Sequence, residues 1–128
     1  MMLEETIRIL SMQEEILQFP HFTNKDAWEL GSYMVSEAAH NGLPVVISIR
    51  LNNGYTLFQY GFKGTNYCNE IWMKRKHNTV RTMEMSSLRL YMDLKMNQEE
   101  LKDRGLNDEE YVACGGGFPI RVAGAGVI

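Results

Sequence analysis

Cysteine is scarce: Cys68 and Cys114 are the only two among 128 residues. Thiols so few and so far apart make neither a disulfide framework nor a zinc knuckle, and without a Cys-x-x-Cys motif there is no thioredoxin-like redox pair. They read as reduced side chains that pack as small hydrophobes. Basic residues are outnumbered as well. Lys and Arg total 13 against 16 Asp and Glu, a formal charge of −3 with a pI near 5.6. A general binder of nucleic acid or of anionic membranes carries the opposite balance. No uninterrupted apolar stretch approaches the ~18 residues of a membrane span. The opening Met1-Met2, followed by Glu4-Glu5, has neither the basic nor the apolar part of a secretory signal. The expectation is a cytoplasmic protein that engages neither nucleic acid nor membrane.

Metal and hydrolase signatures are missing too. His21, His40 and His77 are scattered and form no His-x-His or His-Glu-x-x-His pair, so no metal site is expected. A single axial haem ligand needs only one histidine, so counting does not remove haem. There is no Gly-x-Ser-x-Gly elbow and no nucleophilic cysteine signature, which excludes the common hydrolases and leaves no catalytic residue to assign. What is present is ordinary globular material: 45% hydrophobic and 23% charged residues. A chain of this length forms a single domain, residues 1–128, burying roughly two-thirds of its unfolded surface without staples.

Helical spacing appears first. Leu3, Ile7, Leu10 and Leu17 recur on one face, with Glu4, Glu5, Glu14 and Glu15 assigned to the others. Phe19-Pro20 stops that helix. A second begins at Thr23 or Asn24, with Asp26 in its positive first turn and Ala27, Leu30, Met34 and Ala38 as its buried stripe. His40 complements its C-terminal dipole, and Asn41-Gly42 ends it. From Pro44 to Tyr60 the β-branched run Val45, Val46, Ile47, Ile49 and the run Tyr55, Leu57, Phe58, Tyr60 flank Asn52-Asn53-Gly54, a strong hairpin signal. Asn66 to Asn97 returns to helix, with Asn78-Thr79 or Ser86-Ser87 as places where it kinks or divides. Short helical turns are expected over Gln98–Arg104 and Asp108–Val112, then a strand from Phe118 to Val122 and the start of another over Ala123–Ile128. That abrupt ending predicts a natural chain that continues past Ile128.

The long helix carries the candidate chemistry. Trp72, Val80, Met83, Ser87, Leu90 and Leu94 share one side, and Lys76 projects onto it where a charge is costly to bury. Its ammonium either snorkels past Trp72 to water or meets an anion or a partner's carboxylate. The neighbouring Lys74, Arg75, His77 and Arg81 are most simply a solvated face. Arg75 and Lys76, with Trp72 and Thr79, are therefore candidates to line an anionic-ligand pocket or a subunit contact. Farther along, Met85, Leu88 and Met92 make the helix apolar all round, so it must be covered on both sides, and a second copy of the chain is the expected cover. Gly115-Gly116-Gly117 invites a phosphate-loop reading, but Phe118-Pro119 and a strand follow instead of Lys-Ser/Thr and a helix. A turn or bulge feeding an edge strand is the simpler reading, and a small-ligand nest of its amides is the functional one.

Several of these pieces, in this order, resemble the GlcG/HbpS-like haem-degrading domain family, and in particular its uncharacterised UPF-class branch. They are Leu43-Pro44-Val45-Val46-Ile47-Ser48-Ile49, the Asn53-Gly54 hairpin, Ile71-Trp72 followed by Arg75-Lys76 and Thr79-Val80, Ser86-Ser87, and Gly115-Gly116-Gly117-Phe118-Pro119-Ile120. The resemblance implies an α/β (α+β) profilin-like fold, an antiparallel sheet with helices packed against it, usually in a higher oligomer. It also implies a final C-terminal strand after the Gly-rich turn, of which Gly124-Ala125-Gly126-Val127-Ile128 is only the beginning. Some relatives bind haem or a related small molecule. Haem stands as a cofactor on that resemblance alone. Trp72 and Val80 occupy positions where the haem-binding relatives carry small alanines, and no axial ligand is assigned. Three readings follow: a homo-oligomer binding a small anion at a subunit contact, a non-enzymatic scaffold or interaction protein, and a haem-binding or haem-degrading protein.

Overall fold

In the first helix, α1 (Leu3–Ile16), the apolar spacing is realised with one substitution in its pattern. At roughly 100° per residue, positions 3, 7, 10 and 14 share a face. The fourth member is Glu14, the buried residue of the helix, while Leu17 lies beyond the helix end and is 56% exposed. This corrects the expected stripe at both positions. The computed structural model describes residues 2–128, a mixed α/β fold with four α-helices and two small sheets among those residues. The chain divides into two compact units, residues 21–73 and residues 2–20 with 74–128.

The contiguous unit begins with α2 (Asn24–His40). Thr23 caps it: its hydroxyl accepts from the Asp26 N–H, and the Asp26 carboxylate accepts from the Thr23 N–H at 2.8 Å. That backbone bond, with His21 beside it, holds the Asp26 carboxyl below the ordinary aspartate range. Asn41 and Gly42, the latter at φ +64°, close the helix as its sequence predicts. Strands β2 (Val46–Arg50) and β3 (Thr56–Gly61) form the expected hairpin, pairing Ile47 with Tyr60 and Ile49 with Phe58. Gly54 takes φ +96° in its turn. Alternation buries Ile47 and Ile49. Helix α2 meets the hairpin at Gly31, where a Cβ would lie 2.4 Å from the Phe58 ring, so only glycine permits this approach.

The Arg50 guanidinium belongs to the same unit. It donates to both Glu70 carboxylate oxygens at 2.8 Å, to Ser48 Oγ at 2.8 Å and to Gln59 Oε1 at 3.0 Å. These bonds tie the hairpin to the first turn of α3 (Tyr67–Met83).

The helical segment expected from Asn66 to Asn97 is divided, at Ser86-Ser87 of the two places its sequence offers. Helix α3 ends at Met83, Glu84 adopts a left-handed φ of +54°, and α4 (Ser87–Asn97) restarts from Ser86, whose hydroxyl accepts from the Arg89 N–H at 3.1 Å. Serine offers the backbone a side-chain acceptor, so it favours a cap over a helix interior. The second unit's core is Leu90, Leu94 and Leu106, with Met83, Met85, Leu101, Tyr111 and Ala113 packed against it. Leu101–Arg104 is a 3-10 turn, and Asp108–Val112 is an irregular turn rather than helix, held by the Asn107 side chain accepting from the Glu110 N–H. The strand expected over Phe118–Val122 shrinks to β4 (Arg121–Val122). It pairs in parallel with β1 (Gln18–Phe19) and antiparallel with β5 (Gly126–Val127). The strands therefore form two small sheets rather than one, because each hydrogen-bonded set closes within its own unit. No helix of the described residues is long and apolar enough to cross a membrane.

Candidate functional site

The second half of α3, the start of α4 and the glycine turn meet in the second unit. Gly117 donates its N–H to Ser87 Oγ at 2.9 Å and accepts from the Ser87 N–H at 3.0 Å. A Cβ at Gly117 would sit 2.8 Å from Val80 Cγ2, so the turn is pressed onto α3 where a side chain has no room. Gly116 is at φ +129°, and a Cβ there would lie 2.8 Å from Lys76 Nζ. The ammonium of Lys76 is thus laid over the glycine backbone. Gly115 borders Leu88, whose Cδ1 is 3.8 Å from a Cβ built there. Sequence reasoning named all three glycines and Lys76, and the structure brings them together.

Arg75 and Thr79 stand nearby but are spent on backbone. Arg75 donates to the carbonyls of Asp108 and Tyr111, at 3.2 Å and 3.3 Å to the latter. The fully buried Thr79 hydroxyl donates to the Val112 carbonyl at 2.8 Å and accepts from the Val112 N–H at 3.1 Å. Together they fix the 108–112 segment that leads into the glycine turn. Trp72 lies one turn before Lys76 on α3, in the other unit, and is 42% exposed. Of the apolar trio, Met85 packs against the Leu90 core, while Leu88 and Met92 are half-buried.

A second constellation escaped the sequence reading. The Glu14 carboxylate, 2% exposed, accepts from the Ser86 N–H at 3.1 Å, from Ser86 Oγ at 2.9 Å and from Arg89 Nη1 at 3.4 Å. A carboxylate is thereby seated at the positive end of α4. Across the break, Arg121 Nη2 donates to the carbonyl of Glu84 at 2.6 Å. The signal for Glu14 was its heptad position after Leu3, Ile7 and Leu10; for Arg121 there was none.

The unit of residues 21–73 has an apolar groove of about 300 Å³ lined by Tyr33, Met34, Glu37, Ala38, Asn41, Leu43, Val45 and Ile47. Among the described residues, no three His, Cys, Asp or Glu side chains converge as a metal site does.

A family model described as haem degrading protein HbpS-like matches residues 22–128. Among curated proteins, the chain is 42% identical to UPF0303 protein PSEEN3311 of Pseudomonas entomophila, across its whole length and 71% of that protein. It is 40% identical to a UPF0303 protein of Serratia proteamaculans, covering 80% of it, and 36% identical to UPF0303 protein YE1367 of Yersinia enterocolitica, covering 76%. Among solved structures, the crystal structure of Ybr137w protein superposes with a TM-score of 0.83 at 27% identity, over 91% of this chain and 70% of that one.

Proposed function

Because the chain belongs to the HbpS-like family, and within it to the UPF0303 proteins, we propose that it binds a small anionic molecule at Lys76, over Gly115-Gly116-Gly117, where copies of the chain meet. One observation carries this reading. Lys76 is half-buried with its ammonium against Gly116, and among the described residues no carboxylate pairs with it. A cation withdrawn from water favours an anionic partner. The glycine turn adds backbone without side-chain obstruction, the geometry that lets a ligand approach closely. Leu88, which borders Gly115, and Met92 one turn farther along α4 supply the apolar contact between copies. A cytoplasmic location accords with the two free cysteines, Cys68 and Cys114.

The family name raises haem. In one copy, His21 is exposed and bonded to Asp26, His40 is exposed, and none of His21, His40 and His77 lines the 300 Å³ groove of residues 21–73, itself at the floor of the range for small-molecule sites.

Light scattering and calorimetry test the proposal together. The expected result is a mass that is a multiple of 14.7 kDa and saturable binding of inorganic phosphate that weakens at least about tenfold in Lys76→Ala, the loss of one charge-assisted bond. A monomer with phosphate affinity unchanged by Lys76→Ala overturns it. Assembly without phosphate binding favours the scaffold reading, which the exposed Trp28, Tyr33 and Leu43 support. A Soret shift on adding haemin favours the haem reading.

A further inference from the structure

The break between α3 and α4 is held by two opposite charges, and both face one small cavity. Glu14 accepts from the N–H and hydroxyl of Ser86, the residue that caps α4, and Arg121 donates to the Glu84 carbonyl just after α3. With Ser11, Glu15 and Arg89 they line a polar recess of about 180 Å³, wholly within the second unit. The recess is larger than one water molecule needs and large enough for a carboxylate or phosphate group.

Its electrostatics are incomplete. Glu14 and Arg89 neutralise each other. Arg121 bonds only a neutral carbonyl and pairs with no carboxylate among the described residues. The Nε atoms of both Arg89 and Arg121 are sealed from solvent and have no hydrogen-bond acceptor. Buried donors in folded proteins are almost always satisfied, and a charge out of water is paired or bound. Two guanidinium groups at one recess, each with donors to spare, match the flat two-oxygen edge of an oxyanion. We propose that this recess binds a single small oxyanion, the carboxylate or phosphate group of a metabolite, clamped between Arg89 and Arg121 with Ser11 as a further donor. The site is separate from the one at Lys76. Because both arginines also hold the α3–α4 corner, an occupant tightens that corner.

Arginine Nε–Hε resonances of the ¹⁵N-labelled full chain report on the site directly. Titration with inorganic phosphate, and separately with acetate, is expected to shift the Arg89 and Arg121 signals saturably. Saturation by phosphate alone or acetate alone identifies which group is taken. Arg121→Met weakens this binding at least about tenfold, and Lys76→Ala leaves it unchanged, which separates its failure from that of the Lys76 reading. If Arg121→Met does not fold, Glu15→Gln serves instead: removing the one exposed carboxylate at the rim tightens binding severalfold. Linear, non-saturating shifts with both anions, or saturable shifts of equal affinity in Arg121→Met and in Glu15→Gln, overturn the proposal.

Discussion

Each unit anchors a helix with an arginine and a glutamate, and the two arrangements differ in how completely they close. At Arg50 the guanidinium meets Glu70, Ser48 and Gln59, so its Nε and an amino group have acceptors at 2.8–3.0 Å. At the α3–α4 corner, Arg89 reaches Glu14 at only 3.4 Å, and the Nε atoms of Arg89 and Arg121 have no acceptor. A closed network of polar bonds stabilises and positions; an open one of the same residue types is where an added molecule gains most. The comparison separates an arginine that holds a strand to a helix from arginines available to a ligand.

Four substitutions break or sharpen that contrast. The largest effect is expected from Glu14→Ala, which leaves Arg89 unpaired and the buried Ser86 N–H without its acceptor. Loss of a buried pair by removal of one partner costs about 3–5 kcal/mol, read as a lowered urea midpoint. Glu70→Ala is next, at about 1–3 kcal/mol, because Glu70 is partly exposed and Arg50 keeps Ser48 and Gln59; the same urea titration checks it. Arg121→Met is expected to cost no more than about 1 kcal/mol, since it gives up one bond to a carbonyl and removes an unbalanced charge. A cost as large as that of Glu14→Ala would erase the distinction between holding and waiting.

The smallest effect is a pH dependence. The folded Asp26 carboxyl is shifted down, so its contribution is fully present above the ordinary aspartate pKa of about 3.9 and is lost as pH falls through the lower folded value. Asp26→Asn slightly lowers the neutral region of a stability-against-pH curve and flattens its acid limb, so the two proteins converge at low pH.

Much of this was readable from local chemistry. Thr23 with Asp26, Asn41-Gly42 and Asn53-Gly54 each specify backbone geometry within a few residues, and each formed as its chemistry predicts. Ser86-Ser87 was legible as a dividing point, but the left-handed Glu84 that completes the division was not, because glutamate advertises no such conformation. At the site, glycine spacing and the misplaced cation Lys76 led to one real neighbourhood. Arg75 and Thr79 shared its helix, yet whether their donors face a ligand or the 108–112 backbone depends on segments more than thirty positions away. Glu14 was hidden for a different reason. Its heptad position pointed inward, and the N–H and hydroxyl of Ser86 with the guanidinium of Arg89 make that burial tolerable. Tertiary partners decided these cases, and no local pattern encodes them.

Ser86 and Ser87, adjacent in the chain, reach in opposite directions along it: one bonds Glu14, the other Gly117. During synthesis, the unit of residues 21–73 is complete as soon as its own segment clears the ribosome, whereas α1 must wait, with its carboxylate unmatched, until residues 86–89 emerge, and Ser87 waits further for Gly117. The nascent protein therefore carries an unfinished corner through most of translation, and closing it is a late event that either end of the polypeptide can delay.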